Sequence, residues 1–189
     1  MGRKKVNPNR RPVRENAYDL DQIRAKAAHG AVLQVWAAFL AALSSLKGMT
    51  GHKMLSLWTR VTKAPAQIRT LDDTKQELAL IRSKTGVDLQ VRPLSDAIRT
   101  QADLTRFVRI VTANATATVF TFIISPVVQQ EMLPPEDLRL VIRRAVTNSE
   151  EIAAGQLSVQ DIQEMLQDEY HLQLNATEKG CLLSSAQEP

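Results

Sequence analysis

The chain has 189 residues, of which 44% are hydrophobic and 23% are charged, so it can bury a core as one or two domains. Its composition includes only 7 glycines and 8 prolines, which favours helices over a sheet-rich fold. The single cysteine, Cys181, excludes a disulfide framework within the chain and a cysteine-rich zinc site.

The net charge of +4 conceals an uneven distribution along the chain. Residues 1–14 contain six cations and no acid, so the remaining chain sums to −2. This segment has no apolar run, which predicts a disordered basic arm and not a secretory signal. Arms of this kind neutralise phosphates, serve as solubility tails or dock onto acidic protein surfaces, and nucleic-acid binding is the leading interpretation. The residues predicted to bind in this way are Arg3, Lys4, Lys5, Arg10, Arg11 and Arg14.

Six helices are predicted, because six apolar-periodic segments each follow residues that can start a helix. In chain order, the predicted starts are Asp19, Thr50, Asp72 or Asp73, Thr100, Pro134 and Ser158. Glycines suited to the left-handed position predict helix ends at Gly48, Gly86 and Gly155. Interior prolines predict that Pro65 ends or kinks the second helix and that Pro126 kinks the fourth.

Residues 116–124 admit two interpretations. They are rich in β-branched and aromatic side chains, which is typical of a buried strand. The matching positions of the first half are helical in pattern, and a single strand would have no partner. A helix is therefore predicted here, with a strand as the alternative.

An internal repeat organises the whole chain. With an offset of 83 positions, Phe39 falls on Phe122, and with an offset of 85 positions, Leu89 falls on Leu174. This similarity predicts a tandem duplication. The predicted fold is all-α, with two similar three-helix units packed into one six-helix body. The predicted segments are the arm 1–14, the first repeat 15–91, the second repeat 92–174 and a flexible tail 175–189.

Motifs for catalysis or metal binding are missing from the sequence. His29, His52 and His171 lack the spacing of metal ligands. The chain also lacks a glycine-rich phosphate loop and the signature of an activated nucleophile. Trp36 and Trp58 lie in apolar stripes at helical spacing, which predicts core packing over base stacking. We therefore expect no enzymatic activity, no catalytic residues, no cofactor and no metal.

The charges of the two halves differ. Residues 60–110 carry ten Lys or Arg against six acids, whereas residues 131–170 carry three against nine. This asymmetry predicts a bipolar molecule in which the arm and the junction of the repeats face a polyanion or an acidic partner surface. The second half would face a basic surface, such as a nucleic-acid channel without its ligand. The acids predicted to bind that partner are Glu150, Glu151, Asp168 and Glu169.

Five segments together resemble a known group of proteins: the start MGRKKVNPNRRP, residues 36–39 (WAAF), Gly48–Met49, residues 155–162 (GQLSVQDI) and residues 167–170 (QDEY). They are similar to segments of small proteins carried by phages and mobile elements of Firmicutes. The matching segments lie in different repeats, so this chain resembles a doubled version of those proteins. That group supplies no catalytic residues to transfer.

The resemblance implies a function through binding. Phage accessory proteins of this size that lack enzymatic motifs often bind and block a host protein, commonly an immune nuclease such as Cas9. The leading expectation is thus a cytoplasmic, anti-CRISPR-like inhibitor of a host defence complex. The alternative is a DNA-binding accessory protein or transcriptional regulator that uses the arm. Expected partners are a host protein and DNA contacted by the arm, with a homodimer as a further option and no membrane.

The most apolar stretch, residues 31–46, is too short for a membrane span.

Overall fold

The computed structural model describes residues 20–64, 70–94, 98, 100–177 and 180–186. The arm 1–14 and its six predicted binding residues lie outside this part of the chain, as does the predicted cap Asp19. The elements in chain order are α1 (Leu20–Ser44), α2 (Gly51–Lys63), α3 (Leu71–Thr85), α4 (Gln101–Gln129), α5 (Pro135–Ala153), α6 (Val159–Tyr170), β1 (Leu172–Thr177) and β2 (Gly180–Ser185). The prediction of an all-α fold with six helices is confirmed.

Helix starts follow the predicted caps closely. The Thr50 side chain accepts a hydrogen bond from the backbone N–H of Lys53, and Thr100 and Ser158 each form a capping box. The third helix starts at Leu71, slightly earlier than predicted, because Thr70 is its cap. These local bonds satisfy backbone N–H groups that the first helical turn leaves without partners.

Residues 116–124 are helical, so the strand alternative is wrong. They belong to α4, which continues through Pro126 to Gln129. The buried face of α4 includes Phe120, Ile123 and Ile124, each no more than 1% exposed. Packing of this face against α1 and α3 outweighs the strand propensity of its β-branched residues.

The interpretation of residues 175–189 as a loose tail is wrong for the described part of that segment. β1 and β2 form an antiparallel hairpin in which Leu174 lies opposite Leu183. Leu172, Leu174 and Leu183 are at most 3% exposed, because the hairpin lays this apolar side on the helical core. Burial of alternate leucines on one side of the hairpin therefore stabilises its packing on the helices.

The helices of the two halves interleave in one body. α1 packs on α4, α5 and α6, whereas α4 packs on α1, α2 and α3. The closest backbone packing thus runs between residues 15–91 and residues 92–174, and each half contributes helices to the other's core. The core itself centres on α1, whose Phe39, Leu40 and Leu43 are fully buried.

Backbone conformation matches between the halves at the two offsets of the predicted repeat. Gly48 and Glu131, 83 positions apart, have positive φ angles of 76° and 49°. Gly86 and His171, 85 positions apart, have φ angles of 74° and 54°. Gly86 and His171 are the left-handed caps that end α3 and α6. Gly48 lies in the turn after α1, which ends at Ser44, and Glu131 lies in the turn after α4. These pairs support the duplication hypothesis independently of side-chain identity.

Two helices are long and apolar enough to cross a membrane, which the length argument on residues 31–46 did not anticipate. They are α1 and α4, and 50% and 44% of their apolar windows are buried inside the body. Length and composition alone do not separate such helices from the core helices of a soluble protein.

Candidate protein-binding surfaces

The region from the second half of α5 to the end of β1 carries acidic side chains and no basic lysine or arginine. Residues 145–177 contain six acids and neither lysine nor arginine. Four of these acids lie on α6 and are exposed: Asp161, Glu164, Asp168 and Glu169, which we call the acidic face. Asp161, Glu164 and Asp168 share one side of the helix because they are three and four residues apart. Within the described part of the chain, no lysine or arginine forms an ion pair with the acidic face.

The four acids predicted to bind a partner lie in two places. Asp168 and Glu169 are on the last turn of α6, where Asp168 lines a cleft beside the hairpin. Glu150 and Glu151 are near the end of α5, where Glu150 lines a different cleft. The structure therefore brings each pair together but separates one pair from the other. Only the first pair belongs to the acidic face.

The hairpin cleft has a volume of about 580 Å³ and lies between the start of α2, the end of α6 and the hairpin. Gly51 forms part of its wall, and a Cβ at this position would overlap the carbonyl oxygen of Tyr170. The Tyr170 hydroxyl donates a 3.0 Å hydrogen bond to the carbonyl of Ser44. The end of α6 is thus tied to both α1 and α2, which holds Asp168 in a defined position.

Two of the three histidines reach this cleft. His52 and His171 line it with Asp168, whereas His29 lies on α1, outside the lining. Among the described residues, no group of three or more His, Cys, Asp or Glu side chains is arranged to hold a metal ion. The expectation that these histidines do not form a metal site stays a prediction for the chain as a whole.

The strand cleft has a volume of about 490 Å³ and lies between α1, α4, α5 and the extended residues 86–94. Apolar side chains such as Phe120 and Val146 line its floor, and Arg109 and Glu150 line its exposed walls. Neither charged residue forms an ion pair with the described residues. Gln34 donates a 2.9 Å hydrogen bond to the Ser149 carbonyl and so joins α1 to α5 at this cleft.

The two tryptophans are core residues, as predicted. Trp36 and Trp58 are each 5% exposed, and their ring centroids are 3.9 Å apart. They line a third cleft of about 370 Å³ together with Phe122 and Cys181. Burial raises the pKa of the Cys181 thiol to about 12, so the thiol stays protonated and is a poor nucleophile at neutral pH.

Asn114 is a structural residue that the sequence interpretation missed. Its side chain lies on the buried stripe of α4, where it is 6% exposed. Its amide accepts a 2.8 Å hydrogen bond from the N–H of Arg92 and donates a 2.8 Å bond to the Arg92 carbonyl. A polar residue three positions after Val111 in an apolar stripe was the available signal, because a buried amide needs a partner.

Comparison with protein families, with curated proteins and with solved structures finds no match to this chain.

Proposed function

We propose that the protein is a non-enzymatic inhibitor that binds a host defence complex, with a Cas9-type nuclease as the leading candidate. In this proposal the acidic face covers a basic surface that the complex uses to bind nucleic acid. The observation that carries the proposal is the row of exposed carboxylates on α6, within 33 residues that contain neither lysine nor arginine.

The acidic face is suited to a groove that binds a phosphate backbone. A helix rises about 1.5 Å per residue, so Asp161, Glu164 and Asp168 advance in steps of about 4.5 and 6 Å along α6. A regular row of negative charge offers Lys and Arg side chains the partners that phosphates otherwise supply. Charge complementarity of this kind raises the association rate and the selectivity of binding.

The test compares two triple variants that remove the same charge at different places. The first carries Glu164→Gln, Asp168→Asn and Glu169→Gln on the acidic face. The matched control carries Glu131→Gln, Glu136→Gln and Asp137→Asn near the start of α5. Association with a purified Cas9-type nuclease is measured at low salt, together with inhibition of target cleavage. We expect the first variant to associate at least tenfold more slowly, since electrostatic steering changes association rates by about 10- to 1000-fold.

Equal association rates for wild type and both triple variants would contradict the proposal. Nucleic acid should also compete with the inhibitor, because both occupy the same basic surface. Binding of the protein to the nuclease that is indifferent to excess target DNA would count equally against it.

The basic arm favours a second candidate, which is DNA binding by an accessory or regulatory protein. Six cations within residues 1–14 could neutralise about six phosphates. The logarithm of DNA affinity would then fall with the logarithm of salt concentration with a slope near −5. Deletion of residues 1–14 separates the candidates: loss of all activity supports DNA binding, whereas retained inhibition of the nuclease supports the acidic face.

A further inference from the structure

Residues 87–92 form an extended segment that has the side-chain pattern of a strand, and none of the described strands pairs with it. Val87, Leu89 and Val91 are half-buried, whereas the alternate side chains of Asp88 and Gln90 are exposed. Such alternation is typical of one strand laid on a core. The segment follows α3 and runs between α3 and α4, with a cleft on each side.

Asn114 identifies the direction of the open backbone edge. Its amide pairs with both the N–H and the C=O of Arg92, as a residue of a neighbouring strand would. In an extended chain, alternate residues direct these groups toward the same edge. Asp88 and Gln90 therefore face α4 along with Arg92. Among the described residues, none forms a hydrogen bond with the backbone N–H or C=O of Asp88 or Gln90.

The second half shows what covers the equivalent edge. An offset of 85 places residues 87–92 on β1, Leu172–Thr177. Ala186 donates a 2.7 Å hydrogen bond to the His171 carbonyl, so the hydrogen-bonded pairs continue at every second residue of β1, through Gln173 and Asn175. These two residues correspond to Asp88 and Gln90. The edge that β2 covers in the second half is thus not covered by any described strand in the first.

The space for a strand is present at this edge. β2 packs on α1 and α2, whose counterparts in the repeat are α4 and α5. Those two helices form the walls of the strand cleft, which is about 490 Å³ in volume and is bordered by Gln90. The described part of the first half therefore has the walls, the floor and the backbone edge of a hairpin site but no second strand.

We infer that the strand cleft binds an extended segment of a partner protein, which pairs as an antiparallel strand with the backbone of Asp88 and Gln90. The occupant is a partner segment because β2 of a second copy is already paired within its own hairpin. Backbone hydrogen bonds supply affinity in this mode of recognition, and side-chain pockets supply selectivity. This inference does not depend on the proposed function.

The hairpin also defines the chemistry of the partner segment. Leu183 lies opposite Leu174 and is 3% exposed, so the residue opposite Leu89 should be apolar and should enter the cleft. In β2 the flanking residues are small or polar, as in the sequence Gly-Cys-Leu-Leu-Ser-Ser. Arg109 and Glu150 on the exposed walls can pair with charges that flank the segment.

The probe is a synthetic peptide with the sequence of residues 179–186 and the substitution Cys181→Ser. It is titrated to millimolar concentration into the ¹⁵N-labelled full-length protein. We expect the amide resonances of Asp88 and Gln90 to shift and their hydrogen exchange to slow at least tenfold at saturation. Shifts confined to α3, or no protection of these two amides at millimolar peptide, would overturn the inference.

Two pairs of variants locate the bound strand. Ala113→Trp fills the strand cleft from an exposed position on α4, and Ala79→Trp places the same side chain in the cleft on the other side of the segment. Gln90→Pro removes an N–H from the edge that faces α4, whereas Val91→Pro removes one from the opposite edge. The first variant of each pair should weaken peptide binding at least tenfold, and the second should leave it unchanged.

Equal effects of the two tryptophan variants would refute the assigned cleft. Sedimentation of the protein alone tests the remaining occupant. A concentration-dependent dimer that Ala113→Trp abolishes would place a second copy in the strand cleft and overturn the assignment to a partner protein.

Discussion

α1 and α4 occupy equivalent places in the repeat, yet the same residue has a different environment in each. Phe39 of α1 is fully buried, whereas Phe122, 83 positions later on α4, is 36% exposed. The two helices have different neighbours: α1 packs on α4, α5, α6 and the hairpin, whereas α4 packs on α1, α2 and α3, and Phe122 lines a cleft together with Cys181 of β2. The comparison teaches that a repeated sequence pattern sets the inner face of a helix but not the elements that cover its outer face.

A second difference follows from the first. Asn114 of α4 corresponds to Ala31 of α1, and both positions are buried. The alanine suffices in α1 because β2 supplies hydrogen bonds to β1. In α4 the asparagine amide supplies part of that pairing to Arg92. In the described part of the first half, one side chain therefore takes over a pairing that a strand makes in the second.

The largest expected effect tests the two phenylalanines directly. Phe39→Ala should lower the free energy of unfolding by about 3–5 kcal/mol, because a fully buried ring leaves a cavity. Phe122→Ala should cost about 1–2 kcal/mol, since part of its ring already contacts water. Chemical denaturation of both variants measures the difference. Similar costs for the two variants would show that the different neighbours of α1 and α4 do not give the two rings different environments.

A glycine substitution on α2 tests the contact that supports the hairpin cleft. Gly51→Ala should destabilise the protein by about 1–3 kcal/mol, because the added methyl group overlaps the backbone carbonyl of Tyr170. The matched control is Gly30→Ala in α1, where an added Cβ meets no atom within 4 Å and where Ala113 stands at the equivalent position of α4. That control should stabilise the protein by about 0.5–1 kcal/mol. Thermal unfolding reports both, and a stabilised Gly51→Ala variant would contradict the close approach of α2 to α6.

The asparagine that replaces strand pairing gives the next smaller effect. Asn114→Ala should cost about 1–2 kcal/mol, since two hydrogen bonds to Arg92 are lost and water can reach part of that backbone. The amide of Arg92 should then exchange faster, which NMR detects at the single residue. Asn175→Ala is the control, because Asn175 is exposed on β1 and its removal should change stability by less than about 0.5 kcal/mol. An unchanged hydrogen-exchange rate at the Arg92 amide would contradict the proposed role of Asn114 in holding this segment.

The six helices could be predicted because their signals are local. A cap such as Ser158 and a stop such as Gly86 act within one turn, and apolar periodicity marks the inner face over several turns. The hairpin could not be predicted in this way. In β2, Leu183 is the only leucine whose side chain is buried. The stability of β2 depends on its pairing with Leu174, which lies on the other strand, β1.

The candidate site was predictable in part. Glu150, Glu151, Asp168 and Glu169 were identified from charge along the chain, but their division between two clefts depends on helix directions that charge does not encode. The open edge at residues 87–92 was equally hidden from sequence. An extended segment shows its unused hydrogen-bonding groups only when its neighbours in space are known.

The smallest effect at neutral pH concerns Cys181, which belongs to the strand that covers α1 and has a pKa raised by burial to about 12. The unfolded thiol releases its proton near pH 9, whereas the folded thiol keeps it to higher pH. The stability linked to this thiol is therefore complete below about pH 9 and is lost as the pH rises toward 12. Wild type should unfold at a lower temperature at pH 10.5 than at pH 8, and Cys181→Ser should show a smaller decrease, because other groups titrate equally in both proteins.

At pH 8 the native thiol should react with Ellman's reagent about a hundredfold more slowly than the denatured thiol. Equal reaction rates would mean that β2 opens readily, and the cover that distinguishes α1 from α4 would then be transient.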